Sequence, residues 1–242
     1  LRRAREYFEQ AIAKDSGFAL AWTGLADSYS HSATFGYERA VESMPKAREY
    51  ATKALALDSS LVEVHSSLAF IALFFDYDFQ AAGREFAKAL KIDSTHHSAH
   101  LWNAWYYLAT DSLDAAVREG EKAVALEPFM TVPNVRLVTC LFFARRYPEA
   151  IKRFEKIAAE NPQFSLPRRL LGLAYGAIGD MEKAFEADLK ALEIEGGKEL
   201  TAKLREQREA VGISAANRFW LDEAIKAKEA RRISSTGEMQ GG

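Results

Sequence analysis

Small and bulky apolar residues recur along the chain at steps of three and four, the spacing that lines one face of an α-helix. Ala82, Phe86, Ala89 and Leu90 follow it, and so do Ala150, Ile151, Phe154 and Ile157. The same positions then repeat. Ala82, Ala116, Ala150 and Ala184 stand 34 residues apart, with Ala89, Ala123, Ile157 and Ala191 seven residues behind them. Each segment closes on a stop signal, Asp93-Ser94, Glu127-Pro128 or Asn161-Pro162. A second helical stretch precedes it, marked by Trp22-x-x-Leu25-Ala26-x-x-Tyr29 in one case and Leu171-Gly172-x-x-Tyr175 in another. Short turns at Gly179-Asp180 and Arg146-Tyr147-Pro148 join the two stretches. A period of 34 residues built from two helices predicts a stack of helical hairpins, none of which can bury its apolar face alone. The small alanines let backbones approach, and the bulky residue four positions on fills the neighbouring groove.

These residues resemble the tetratricopeptide repeat, with its W-x2-L-G-x2-Y, A-x3-F and terminal P. The resemblance spans about Arg3 to Glu195 and implies an all-α fold, a right-handed α-solenoid of helix-turn-helix units starting at Ala19, Val62, His97, Thr131 and Ser165. Residues 1–15 read as an N-terminal half-repeat, in which Ala4, Phe8 and Ala11 fit a second helix, and 16–195 as about five units. Residues 196–233 read as a degenerate helical pair and 234–242 as a flexible tail. The unit at Ala19 is nine residues too long, an insertion near 30–45. It is expected as a loop carrying Phe35 and Tyr37, either over one end of the groove or simply tolerated at the surface. Pro45 would then sit in the first turn of the next helix with Ser43 as its cap. The unit at Val62 has one extra residue, expected in the turn at Asp76-Tyr77-Asp78. The half-repeat and a start at Leu1 rather than Met suggest a piece of a longer chain.

In the family, the first helices line a concave face. Carried over position by position, that face collects Asp27 and His31, then Glu63, Ser66, Ser67, Phe70 and Phe74, then Leu101, Trp102 and Trp105, then Arg136, Phe142 and Phe143, and finally Arg169 and Leu173. One reading places the aromatics between adjacent first helices as core. The other makes Phe70, Phe74, Trp102, Trp105, Arg136, Phe142, Phe143 and Arg169 a partner-binding groove for an amphipathic helix or extended peptide. Chaperone-binding relatives clamp a terminal carboxylate with Lys and Asn. Here Thr23 and Asp27 occupy the corresponding positions of the unit at Ala19, and neither supplies that charge.

Composition narrows the field. Lys and Arg number 32 against 34 Asp and Glu, a net charge of −2, without the positive excess that direct nucleic-acid binding needs. The longest apolar run, Leu68 to Phe75, is too short to span a bilayer, so no membrane insertion is expected. Cys140 is the single cysteine, which excludes an internal disulfide and a Cys-based zinc site. Glycine-rich phosphate loops and the G-x-S-x-G turn are absent. His97 and His100, three apart, are candidate metal ligands, with helix-start and packing roles the plainer reading. Asp76 and Asp78 read as helix-capping residues.

The expectation is therefore a non-catalytic protein-interaction module, with no cofactor or metal and a protein or peptide partner. It is expected to be cytoplasmic, or alternatively the periplasmic part of a membrane-anchored protein. Resemblance to repeat segments of bacterial multidomain proteins suggests an alternative, the sensor segment of a transcription regulator, kinase or cyclase. The run from Phe75 to Leu90 and the run Phe143 to Ala150 carry that likeness. A homodimer through Phe219 and Trp220 on the terminal helix is a further possibility.

Overall fold

The structure, a computed structural model, describes residues 1–220, 222, 223 and 226, so the tail at 234–242 lies outside it. The described residues are helical with no strand, and the chain divides into two compact units, residues 1–144 and 145–242.

In the first unit α1 (Arg2–Lys14) precedes three hairpins. These are α2 (Ala19–Thr34) with α3 (Ala40–Leu57), α4 (Val62–Ile71) with α5 (Phe79–Ile92), and α6 (His97–Ala109) with α7 (Leu113–Leu126). A final helix, α8 (Thr131–Phe143), completes the unit. Each helix packs on its successor, and α2, α4, α6 and α8 also pack on one another in that order. The first helices thus form a continuous layer. The second unit holds α9 (Tyr147–Glu160), α10 (Ser165–Ala177), α11 (Met181–Ile194), α12 (Lys198–Val211) and helical residues 213–220.

The repeating alanines sit in the core: Ala82, Ala89, Ala116, Ala123 and Ala150 are fully buried. Phe86 and Phe154 fill the space beside them, 1% and 0% exposed. Glycine serves the same end where even a methyl is too large. A Cβ on Gly24 would lie 2.4 Å from the Phe8 ring, so α1 docks its aromatic directly onto α2. In the second unit Phe185, Leu189, Leu204 and Ala216 form a core cluster. Phe219 and Trp220, the residues expected at a homodimer contact, are half-buried against that cluster within the unit.

Both length irregularities are absorbed by helix. The insertion lengthens α2 to 16 residues and α3 to 18, against 13 and 14 in the regular hairpin of α6 and α7. Only residues 35–39 remain as a connection. Pro45 therefore falls in the second turn of α3, not the first, and Ser43 is no cap. A polar anchor sets the early start. Arg5 donates to both Glu38 oxygens at 2.7 and 3.0 Å, and Ser43 Oγ donates to Glu38 at 2.7 Å. Those bonds hold the Glu38 carboxyl down at about 2, with Arg5 the main cause, and offset the one helix bond that proline gives up. The extra residue near Asp76 sits inside the helix as a π-helical turn, Ala72–Asp76, continuing α4. Asp78 caps α5 as expected, accepting from Ala81 N at 2.9 Å, whereas Asp76 pairs with Arg48.

Two further features recur with the repeat. The hairpin turns pass through left-handed residues at Tyr77, Asp111, Arg145 and Gly179, spaced by 34. The fourth residue of each first helix donates, through a ring or side-chain nitrogen, to a carbonyl in the preceding loop. Trp22 reaches Ser16 O at 3.0 Å, His65 reaches Ser59 O at 3.0 Å, His100 reaches Ser94 O at 2.9 Å, and Asn134 reaches Pro128 O at 3.0 Å. Arg168 does the equivalent in the second unit, donating to the loop carbonyl Phe164 O at 3.3 Å and to Ala158 O in the last turn of α9 at 2.9 Å. These bonds satisfy carbonyls that the loop leaves without backbone partners.

Candidate functional site

The first-helix layer of the first unit carries one connected group of rings. Phe70 meets Phe74 at 4.6 Å and Trp102 at 4.7 Å, and Phe74 lies 6.3 Å from Trp105. His31 extends the group to α2, 5.2 Å from Phe70 and 5.7 Å from Trp102. Phe70 is core, 2% exposed, while Phe74, Trp102 and Trp105 rest on the Leu73–Phe86 core cluster as half-buried residues. Phe142 and Phe143 stack edge to face at the end of α8, and Phe143 is 52% exposed.

Arg136 on α8 lies over this group. Its guanidinium carbon is 4.0 Å from the Trp105 ring centre and 5.6 Å from that of Trp102, a cation–π arrangement. Its Nε is fully enclosed without a hydrogen-bond partner, and among the described residues no carboxylate pairs with the group. Burial draws its pKa down to about 10. Burial likewise pushes the neighbouring Cys140 thiol up to about 12, leaving an inert, enclosed cysteine. Arg169 is different. It lies in the second unit and is held by Glu195 through two hydrogen bonds, one from Nε at 2.8 Å.

Beside Trp102 the layer opens into a cavity of about 380 Å³ between α2, α4, the start of α6 and the start of α8. Eight of its lining residues were placed on the concave face by their repeat positions: Asp27, His31, Glu63, Ser66, Ser67, Phe70, Leu101 and Trp102. His96, His97, Met130 and Pro133, also in the lining, come from helix starts that the repeat frame does not assign to the face. Asp27 is the innermost acid. Burial pushes its carboxyl up to about 6, partly opposed by a 2.5 Å hydrogen bond from Ser67 Oγ. The insertion borders this end, since Phe35 stacks on His31 at 6.2 Å while remaining 62% exposed, as Tyr37 is at 74%.

The histidines have structural work. His96 caps α6, its Nδ1 accepting from Ala99 N at 3.2 Å, and burial lowers its pKa. His100 spans from Ser94 O to Glu119 Oε2 at 2.6 Å, and His65 spans likewise from Ser59 O to Glu85 Oε2 at 2.6 Å. The Glu119 bond raises the His100 pKa. Burial alone would raise Glu119, but its bonds to His100 and Lys122 outweigh that and hold it at about 2. Among the described residues no group of three His, Cys, Asp or Glu is arranged to hold a metal, and no helix is long and apolar enough to cross a membrane.

Comparison with known proteins agrees with this architecture. The tetratricopeptide-repeat family pattern matches residues 137–198. No curated protein matches the chain in sequence. Among solved structures, the chain is similar to YrrB, described as "a TPR protein with an unusual peptide-binding site", at 21% identity and TM-score 0.56 over 84% of this chain and 99% of that one. It is similar to MamA from Desulfovibrio magneticus RS-1 at 19% identity and TM-score 0.57, over 72% and 95% of the two chains. It is similar to the anaphase-promoting-complex hetero-tetramer Cut9–Hcn1 at 15% identity and TM-score 0.65, over 89% and 41%. The tetratricopeptide-repeat pattern thus holds for residues 137–198, and the chain shares the helical-hairpin fold of these structures along most of its length.

Proposed function

We propose that this chain is a non-catalytic protein-interaction module, and that the first-helix layer of its first unit binds an extended or helical peptide segment. The observation that carries the reading is Arg136. Its Nε is enclosed without a hydrogen-bond partner in a half-buried side chain, and among the described residues no carboxylate pairs with the guanidinium, an arrangement that costs free energy until an anion completes it. A peptide carboxylate or acidic side chain would supply the missing partner, on a platform of half-buried Trp102 and Trp105 suited to anchoring a hot spot. The shared fold with YrrB, whose description names a peptide-binding site, is consistent with this use.

Selection from a phage-displayed library of 12-residue peptides tests the reading. Enriched sequences should share an acidic residue or use the terminal carboxylate, and Arg136→Met should weaken them about tenfold or more with helicity unchanged. Failure to enrich any sequence, or binding indifferent to Arg136→Met, would overturn it.

A further inference from the structure

We infer that the cavity between Asp27 and Glu63 takes the cationic side chain, lysine or arginine, of the bound peptide; this rests on the peptide-binding reading above. The first argument is charge. Two carboxylates face one cavity, Asp27 from α2 and Glu63 from α4, and no Lys or Arg is among its lining residues. The nearest basic group to Glu63 is His96, 3.8 Å away, and burial favours its neutral form. Glu63 also disfavours ionisation of Asp27, a repulsion that a shared cation removes.

The second argument is a polar group with no partner of its own. Ser66, on the cavity wall, is 8% exposed, and its buried Oγ makes no hydrogen bond in the structure. Its neighbour shows the contrast, because Ser67 Oγ has two acceptors within hydrogen-bond reach, Asp27 and Glu63 O at 2.9 Å, for its single hydrogen. A buried hydroxyl left unbonded is costly, and an ammonium or guanidinium hydrogen is a donor it can accept. The third argument is shape. Phe70 and Trp102 supply an aromatic wall for the methylene stem and charge of a long basic side chain. A metal ion fits less well, because no three of the cavity's acid and imidazole groups are gathered to ligate one. Trp102 borders both this cavity and the Arg136 site, so one segment carrying an acidic and a basic group can reach both.

The same 12-residue peptide library provides the test, read now for position. The expected result is a lysine or arginine at one fixed position of the enriched sequences. Its replacement by glutamine should weaken binding tenfold or more on the native chain. On Glu63→Gln or Asp27→Asn the same replacement should matter less than twofold, the signature of a direct pair. Glu63, with its side chain 41% exposed, is the safer of the two for folding, and circular dichroism confirms helicity for each variant. Peptides that bind and depend on Arg136 but show no fixed basic position, or no coupling to either acid, would overturn this inference and leave the groove reading standing. A library yielding no binder would remove both.

Discussion

Two arginines of the concave-face pattern, one in each unit, separate what the chain keeps for itself from what it leaves open. Arg169 in the second unit is closed off by two hydrogen bonds to Glu195, and its neighbour Arg168 by three backbone carbonyls. Arg136 in the first unit lies on the faces of Trp102 and Trp105, and among the described residues no carboxylate pairs with it. Both residues occupy groove positions in the repeat pattern. An arginine satisfied within its own unit stabilises that unit, whereas a half-buried one with an enclosed, unbonded Nε and no paired anion is a candidate for a partner to complete.

The largest test of this contrast exchanges both arginines for methionine. Arg136→Met should remove about tenfold or more of the affinity for a selected peptide while leaving stability unchanged or slightly higher, since a half-buried charge with an enclosed, unbonded Nε is lost. Arg169→Met should leave affinity within about twofold and cost no more than about 1 kcal/mol, because its ion pair is solvent-screened. Titration of a labelled peptide and urea denaturation of both variants measure the two effects. Equal losses of affinity would erase the distinction.

A smaller effect concerns the histidine–glutamate bridges, which occur in the first unit, as His65–Glu85 and His100–Glu119. For His100 the folded pKa is raised above 6.5, so its contribution to stability is complete below that value and fades as pH rises through the folded pKa. For Glu119 the folded pKa is lowered from 4.5 to about 2, so its contribution is complete above 4.5 and fades as pH falls toward 2. The bridge, with Lys122 as the other charge on Glu119, is therefore most favourable between about 4.5 and 6.5. Melting temperatures at pH 6 and pH 8.5 should differ in the native chain by more than in His100→Gln; an unchanged difference would count against the bridge.

The smallest effect lies in the hairpin turns. Tyr77 and Gly179 hold the same left-handed conformation, at φ 56° and 82°. Tyr77→Gly should stabilise by about 0.5–1 kcal/mol, as the 71% exposed ring contributes little packing. Gly179→Ala should destabilise by about 1 kcal/mol through strain alone, since a Cβ there meets nothing within 4 Å.

These turns also mark the limit of what the sequence discloses. The alanine and phenylalanine positions were legible because a close helix contact admits few side chains, so residue type itself repeats. The left-handed position repeats just as regularly but is filled by Tyr, Asp, Arg and Gly, because the backbone imposes it and an exposed side chain is free to vary. The fourth position of the first helix carries Trp, His, His, Asn and Arg, which share only a nitrogen donor. Chemistry repeats there, not identity. The same limit governs the candidate site. Its groove positions followed from the repeat register, but the enclosed Ser66 hydroxyl and the partnerless Arg136 depend on what faces them from other helices. The irregular lengths misled for a related reason: surplus residues lower free energy more by extending α2, α3 and α4 than as unpaired loop backbone.

The central claim, that a peptide segment docks on the first-helix layer of the first unit, is tested most directly by amide hydrogen exchange with and without a selected peptide. The account predicts added protection in α4, α6 and α8, with α10 to α12 unchanged. Protection confined to the second unit, or to the second helices α5 and α7, would contradict it.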